Sequence, residues 1–190
     1  MQIIQRASCL CAMTIAVSAL VVSGCGTDNS PGAALDTTYD SWIINEDIPK
    51  MDISKLPDID ITRAQMLDLI EQVRAEVAHL VPASVPWEWR REEMSGSCDN
   101  DGRQGVTLYF ANLTSPHSFT DQEWTVALQA VERLAADAGL NNSSALQNST
   151  GAHDVRITSD DGRELRFGSL EASLITGTIA CRLPAGGGAP

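Results

Sequence analysis

The chain has 190 residues, with 13 basic and 25 acidic side chains and a formal net charge of −12. A surface this acidic repels nucleic acid and anionic headgroups, so neither is expected as a partner through bulk charge. The three histidines, at 79, 117 and 153, fall in three separate segments without a metal-binding spacing such as H-E-x-x-H, so no zinc site and no cofactor is expected.

The first predicted segment is for targeting and is not a fold element. Arg6 is the single charge ahead of an apolar run from Ala7 to Val22, built on Leu10, Met13, Ile15, Val17, Leu20, Val21 and Val22. At about 16 residues the run is shorter than the roughly 20 that a bilayer-spanning helix needs. It ends in Val22-Ser23-Gly24-Cys25, which resembles the bacterial lipobox. Small residues at the two positions before the cysteine let the peptidase reach the backbone, and the thiol takes a diacylglyceryl group as a thioether. Cleavage would make Cys25 the first residue of a chain of 166, lipid-anchored at the cell membrane and facing the extracytoplasmic side. Each buried acyl methylene contributes about 0.8 kcal/mol, so two or three chains hold the protein without a helix of its own. The competing reading is an uncleaved signal anchor or an ordinary secretory peptide. Loss of residues 1–24 removes one basic and no acidic side chain, taking the net charge from −12 to −13.

Of the five cysteines, Cys9 and Cys11 leave with the signal and Cys25 is acylated, so Cys98 and Cys181 remain. A lone pair in an oxidising compartment predicts a disulfide. Closing a loop of about 84 residues stabilises the fold by roughly 4 kcal/mol in the chain-entropy description. A redox-active or metal-binding pair is the alternative, but no C-x-x-C or histidine cluster accompanies either cysteine.

The expected organisation is a signal peptide at 1–24, a lipidated N-terminus and flexible tether at 25–60, a globular domain at 61–184 and a disordered tail at 185–190. The tether carries Pro31, Pro49, Pro57 and many aspartates, with Trp42-Ile43-Ile44 as an apolar knot that either docks on the domain or stays free. Thr62 is a candidate cap for a helix whose Met66, Leu69, Ile70, Val73, Val77, Leu80 and Val81 line one face, with Pro82 closing it. His79 lies in its last turn, where a cation suits the helix dipole, and is read as structural. From Val85 to Arg91 a short strand places Trp87 and Trp89 on one face as core residues. The stretch from Met94 to Gly105 is rich in Gly, Ser and Asp and reads as a loop pinned through Cys98.

Strand pattern returns at Val106 to Phe110. Thr120-Asp121-Gln122-Glu123 is a capping box that opens a second helix. Its stripe is Trp124, Ala127, Leu128, Val131, Leu134, Ala135 and Ala138, and Gly139 suits the left-handed position beyond its end. From Ser143 the period is two: Val155 and Ile157 flank Arg156, Asp160-Asp161-Gly162 forms a turn, and Leu165 and Phe167 flank Arg166. A last strand runs from Leu174 to Leu183. The fold class is α+β, with two helices packed on one face of a mainly antiparallel sheet and one disulfide.

Several of these segments, in this order and spacing, resemble the LppA-like lipoproteins of mycobacteria. They are Asp121-Gln122-Glu123-Trp124, His153-Asp154-Val155-Arg156, Glu164-Leu165-Arg166-Phe167-Gly168, and Thr178 to Pro184 around Cys181. The lipobox and the Cys98 and Cys181 pair agree with it. The resemblance implies a cell-envelope lipoprotein with a compact α+β domain, and it brings no catalytic residues.

No chemistry-bearing motif is complete. There is no G-x-S-x-G elbow and no S-x-x-K. His153-Asp154 is half of a triad at most, because neighbours on a strand point to opposite faces. Asp99-Asn100-Asp101-Gly102 lacks the spaced ligands and distal glutamate of a calcium loop and reads as a turn. The acid pairs Glu92-Glu93 and Asp160-Asp161 read as solvated faces. The expected protein is therefore non-enzymatic, with no catalytic or metal residue, and binds another envelope protein or a small envelope component. A carrier of a lipid or other apolar small molecule, lined by Trp87, Trp89, Trp124, Phe110 and Phe167, is the second reading. An envelope hydrolase, joining His153 or His117 to a nucleophile and carboxylate from distant segments, is the third.

Overall fold

The computed structural model describes residues 51–187; Cys25, the expected cleavage site and the Trp42 segment lie outside them. The segment expected to end the tether is already folded: Ile53 is fully buried and Asp52 pairs with Arg103 at 2.6 Å. Helix α1 spans Ile59–Leu80, and its cap is Asp58, not Thr62. The Asp58 carboxylate accepts the Ile61 N–H at 3.0 Å and, with its other oxygen, the Gly186 N–H at 2.8 Å. That second contact comes from 128 residues away, which is why local sequence missed it. Thr62 instead sits buried inside the first turn, its hydroxyl donating to the Asp58 carbonyl. Met66, Leu69, Ile70, Val73 and Val77 form the buried stripe, as their spacing requires.

Helix α2 spans Asp121–Asp137. Both arms of its capping box are formed: Thr120 Oγ1 accepts from the Glu123 N–H, and the Glu123 carboxylate accepts from the Thr120 N–H. At the other end Gly139 takes φ +84°, the left-handed conformation that costs glycine nothing.

Eight strands make one antiparallel sheet: β1 (Glu88–Arg90), β2 (Met94–Asn100), β3 (Arg103–Tyr109), β4 (Asn112–Ser115), β5 (Asn142–Ser149), β6 (Ala152–Thr158), β7 (Arg163–Ser169) and β8 (Ser173–Arg182). The main order is β1-β4-β8-β7-β6-β5. β8 organises it, lying against β7 along one side and sharing its other side between β4 near Ile175 and β3 near Ile179. Strand alternation sends Val155, Phe167, Ile175 and Leu113 to the same face across four strands. Both helices cover that face, α1 over β3 and β8 and α2 over β6 and β7.

Two expectations are corrected. Met94 to Gly105 is not a loop but most of the β2–β3 hairpin, whose turn has Asp101 at φ 51° and Gly102 at φ 79°. Positive φ at both central positions matches the right-handed twist of the flanking strands. Trp89 is not a core residue: it is 43% exposed, because β1 is a three-residue edge strand paired to β4. Trp87 is half-buried, and its indole donates to Ser84 Oγ at 3.2 Å.

The disulfide joins Cys98 to Cys181, tying the β2–β3 hairpin to β8. Gly105, opposite Cys98, makes room for it. A Cβ there would lie 2.7 Å from Cys181 Sγ and 2.6 Å from the Arg182 carbonyl oxygen.

Candidate functional site

Three polar regions stand out once the core is placed. The first gathers at the start of α2. Capping leaves Asp121 and Glu123 on the first turn, where the helix dipole favours carboxylates. Glu123 reaches His117 Nε2 at 3.2 Å, and Asp121 accepts from the Gly151 N–H at 2.9 Å and faces His153 Nε2 at 3.0 Å. The Gly151 N–H, followed by His153, holds the Asp121 carboxyl below its ordinary range. The Thr120 backbone N–H is the main cause of the same direction at Glu123. The buried His153 ring has Asn148 Oδ1 at its other nitrogen, at 3.0 Å, and lies flat on Trp124 with ring centres 4.8 Å apart. Trp124 in turn stacks on Phe167.

The carboxylate facing His153 thus comes from Asp121, 32 residues away. The adjacent Asp154 points to the opposite face and binds Arg166 at 2.9 Å, as strand alternation requires. The serines around this cluster serve the backbone. Ser115 Oγ donates to the Ser84 carbonyl, Ser173 Oγ to the His117 carbonyl, and Ser169 Oγ accepts from the Phe119 N–H. The arrangement therefore fastens the β5–β6 hairpin and the loop before α2 to the helix start, with each imidazole bonded to a carboxylate and those hydroxyls engaged by main chain.

The second region is the sheet face opposite the helices. Arg156, Arg166 and Thr176 stand opposite one another on β6, β7 and β8, and Arg90 stands opposite Asn112 on β1 and β4. The cations are partnered by Asp154, Glu164 and Glu88. A cleft of about 210 Å³ opens here where β3 gives way to β4, between Tyr109, Asn112, Arg166 and Thr178. Thr176 closes its floor by donating to the Phe110 carbonyl at 3.1 Å. Sequence alternation identified Arg156 and Arg166 as outward residues; their alignment with Thr176 is set by register.

The third lies at the far end of the helices. Arg182 is fully buried, donating to the carbonyls of Cys181 and Asp161, while its Nε has no partner among the described residues. Asp161, expected as a solvated acid, is its counter-charge at 3.4 Å and also binds Arg163 at 2.9 Å. Burial raises the Asp161 carboxyl, but Ser159, Arg163 and Arg182 outweigh it and the net direction is down. A cavity of about 550 Å³ adjoins this end, lined by Gln65, Asp68, Gln72, Asp137 and Arg163 over Leu69 and Leu134. Glu93, another of the four acids expected as solvated, binds Arg63 at 2.8 Å.

Among the described residues no group of three or more metal-ligating side chains occurs, and no helix is long and apolar enough to cross a membrane. Cys25, the expected lipidation site, lies outside those residues.

These features define a disulfide-pinned α+β domain whose described residues cover one sheet face and leave the other bare. The chain belongs to the LppA family, described as a lipoprotein confined to pathogenic Mycobacterium, which matches residues 49–185. It is similar in fold to the lipoprotein LppA of Mycobacterium tuberculosis. The two are 14% identical, with a TM-score of 0.51 over 70% of this chain and 86% of that one. A DUF4853 family protein from Actinomyces odontolyticus, also 14% identical, covers 62% of this chain and 67% of its own with a TM-score of 0.39. No curated protein matches the sequence.

Proposed function

We propose that this protein is a non-enzymatic interaction module of the cell envelope, held at the outer side of the membrane by lipid on Cys25 and presenting its bare sheet face to a partner. The bare face carries the reading: charged and hydroxyl side chains are aligned across β6, β7 and β8, and among the described residues both helices lie on the other side of the sheet. The LppA membership supports a lipoprotein, and the lipobox supplies the attachment point. Palmitate labelling of the full chain should be lost in Cys25→Ser.

The carrier reading gains no support, because the aromatic residues that would line a chamber fill the interior instead. Phe167 is fully buried, Trp124 and Phe110 are each 5% exposed, and Trp89 sits at the edge. The cavity of about 550 Å³ has mostly polar walls away from these rings. The hydrolase reading also lacks a supporting contact, since the carboxylates on His117 and His153 come without a nucleophile on the second ring nitrogen.

Photo-crosslinking in whole cells tests the proposal. Probes replacing Tyr109 and Arg156 on the bare face should each capture a discrete partner, while one at Gln72 on α1 should not. Silence at all three positions would remove the reading.

A further inference from the structure

Among the described residues β5 is the far edge of the sheet and pairs with β6 alone. With one neighbour among the described residues, β5 leaves the outer row of its backbone N–H and C=O groups open to an added strand, and all eight of its residues are exposed. Edge strands usually carry a lysine, a proline or another charge to prevent such pairing. Here no charged residue occurs from Ala138 to Ala152, in a chain of net charge −12. A bulge between Ala145 and Gln147 is the one irregularity.

Beside this edge lies a cleft of about 110 Å³ between β5 and α2. Its apolar wall is Trp124, Leu128, Ala145 and Val155, and its rim carries Glu132 without a basic residue. Asp154 also borders the cleft, but its carboxylate is turned to the other sheet face, on Arg166. Among the described residues Glu132 accepts a neutral hydroxyl alone, from Ser143 at 2.8 Å. A helix flanking an open strand edge, with a side-chain-sized cleft between them, is the geometry of recognition by strand addition. Main-chain bonds then give affinity and the cleft gives selectivity.

We propose that β5 takes an extended segment of a partner protein as a ninth strand, with a lysine or arginine of that segment laid in the cleft. Its methylenes lie against Leu128 and Val155, and its cation reaches Glu132, the amphipathic placement that long basic side chains favour. This rests on the interaction-module reading and names the surface and chemistry of one partner. A second copy of the acidic chain is the disfavoured occupant, because β5 brings no cation to the cleft.

The probe is a capped nine-residue peptide of alternating threonine and valine with a central lysine, titrated into the detergent-solubilised full chain. The control peptide has glutamate at the centre. The lysine peptide should bind about tenfold tighter and slow amide exchange over residues 142–149 while leaving residues 88–90 unchanged. Glu132→Gln should bring the two affinities together. Ala145→Lys, which puts the chain's own cation in the cleft, should abolish binding at unchanged Tm. Equal affinities in the parent chain, absent protection at β5, or β5 protection with a dimer mass before peptide is added would each overturn the proposal. Crosslinking from Tyr109 or Arg156 without peptide binding at β5 would sink this site and leave the interaction-module reading standing.

Discussion

Arg182 is the most constrained side chain of the domain, a guanidinium removed from solvent with Asp161 as its counter-charge. Taking away one member of a buried pair costs more than the pair contributes, because the other charge stays behind unsolvated. Asp161→Asn should therefore lower stability by about 3 kcal/mol in chemical denaturation, well beyond the effect of Glu88→Gln on the exposed face. Gly105 is constrained by space instead of charge. Gly105→Ala places a methyl against backbone and disulfide that cannot both retreat, and should cost about 1–3 kcal/mol. If that variant unfolds at the parent midpoint, the close approach is not required. Neither residue shows its role locally: Arg182 stands on a strand that alternates like the others, and Gly105 closes a polar stretch that resembles a loop.

At the scale of elements, α2 is the best-defined by its own sequence. Thr120, Glu123 and Gly139 mark both ends, and the stripe from Trp124 to Ala135 sets the buried face. Thr120→Ala should cost about 1 kcal/mol through the lost cap. The same helix start also fastens the β5–β6 hairpin, through the Asp121 contacts to Gly151 and His153. Asp121→Ala should speed amide exchange over residues 142–153 more than over β7 or β8, and uniform acceleration would show that the contact does not hold the hairpin. The β2–β3 hairpin is the contrasting case. Asp101-Gly102 is a hairpin turn signal, but its flanks are Ser, Gly, Asp and Gln, because β2 buries no residue and the turn end of the hairpin is held by a disulfide, while only Val106 and Leu108 of β3 reach the core. Without an apolar face on β2 there is no period of two to read before Val106. Trp87 and Trp89 fail in the opposite direction: they are apolar and alternating, yet they sit on an edge where little packs over them.

For the whole molecule, the Cys98–Cys181 bond spans 83 residues and joins the hairpin to the strand that organises the sheet. Replacing both cysteines by serine should remove roughly 4 kcal/mol by the chain-entropy description. Charge sets a second molecule-wide property. The carboxyls of Asp58, Asp121, Glu123 and Asp161 all lie below their ordinary values, and that of Asp52 is lowered to about 2 by Ser54 and Arg103. Groups depressed on folding contribute stability that is complete above their unfolded values and lost as pH falls through the folded ones. Melting temperature should thus hold from neutral pH to the ordinary carboxyl range near 4, then fall down to about pH 2. A Tm that rises on acidification in that range would contradict these assignments.

By itself the sequence determined the class of the fold, both helix stripes, the α2 caps, the β6–β7 hairpin and the pair of cysteines available to bond. Each of these is encoded in residues a few positions apart, through helical or strand period and capping chemistry. Tertiary structure alone decided that Asp58 also binds the Gly186 N–H, that Asp121 faces His153, that Arg182 is buried on Asp161 and that β5 is left as an edge among the described residues. Those outcomes depend on which strands become neighbours and in what register, and the contacts that select them join residues 21 to 128 positions apart.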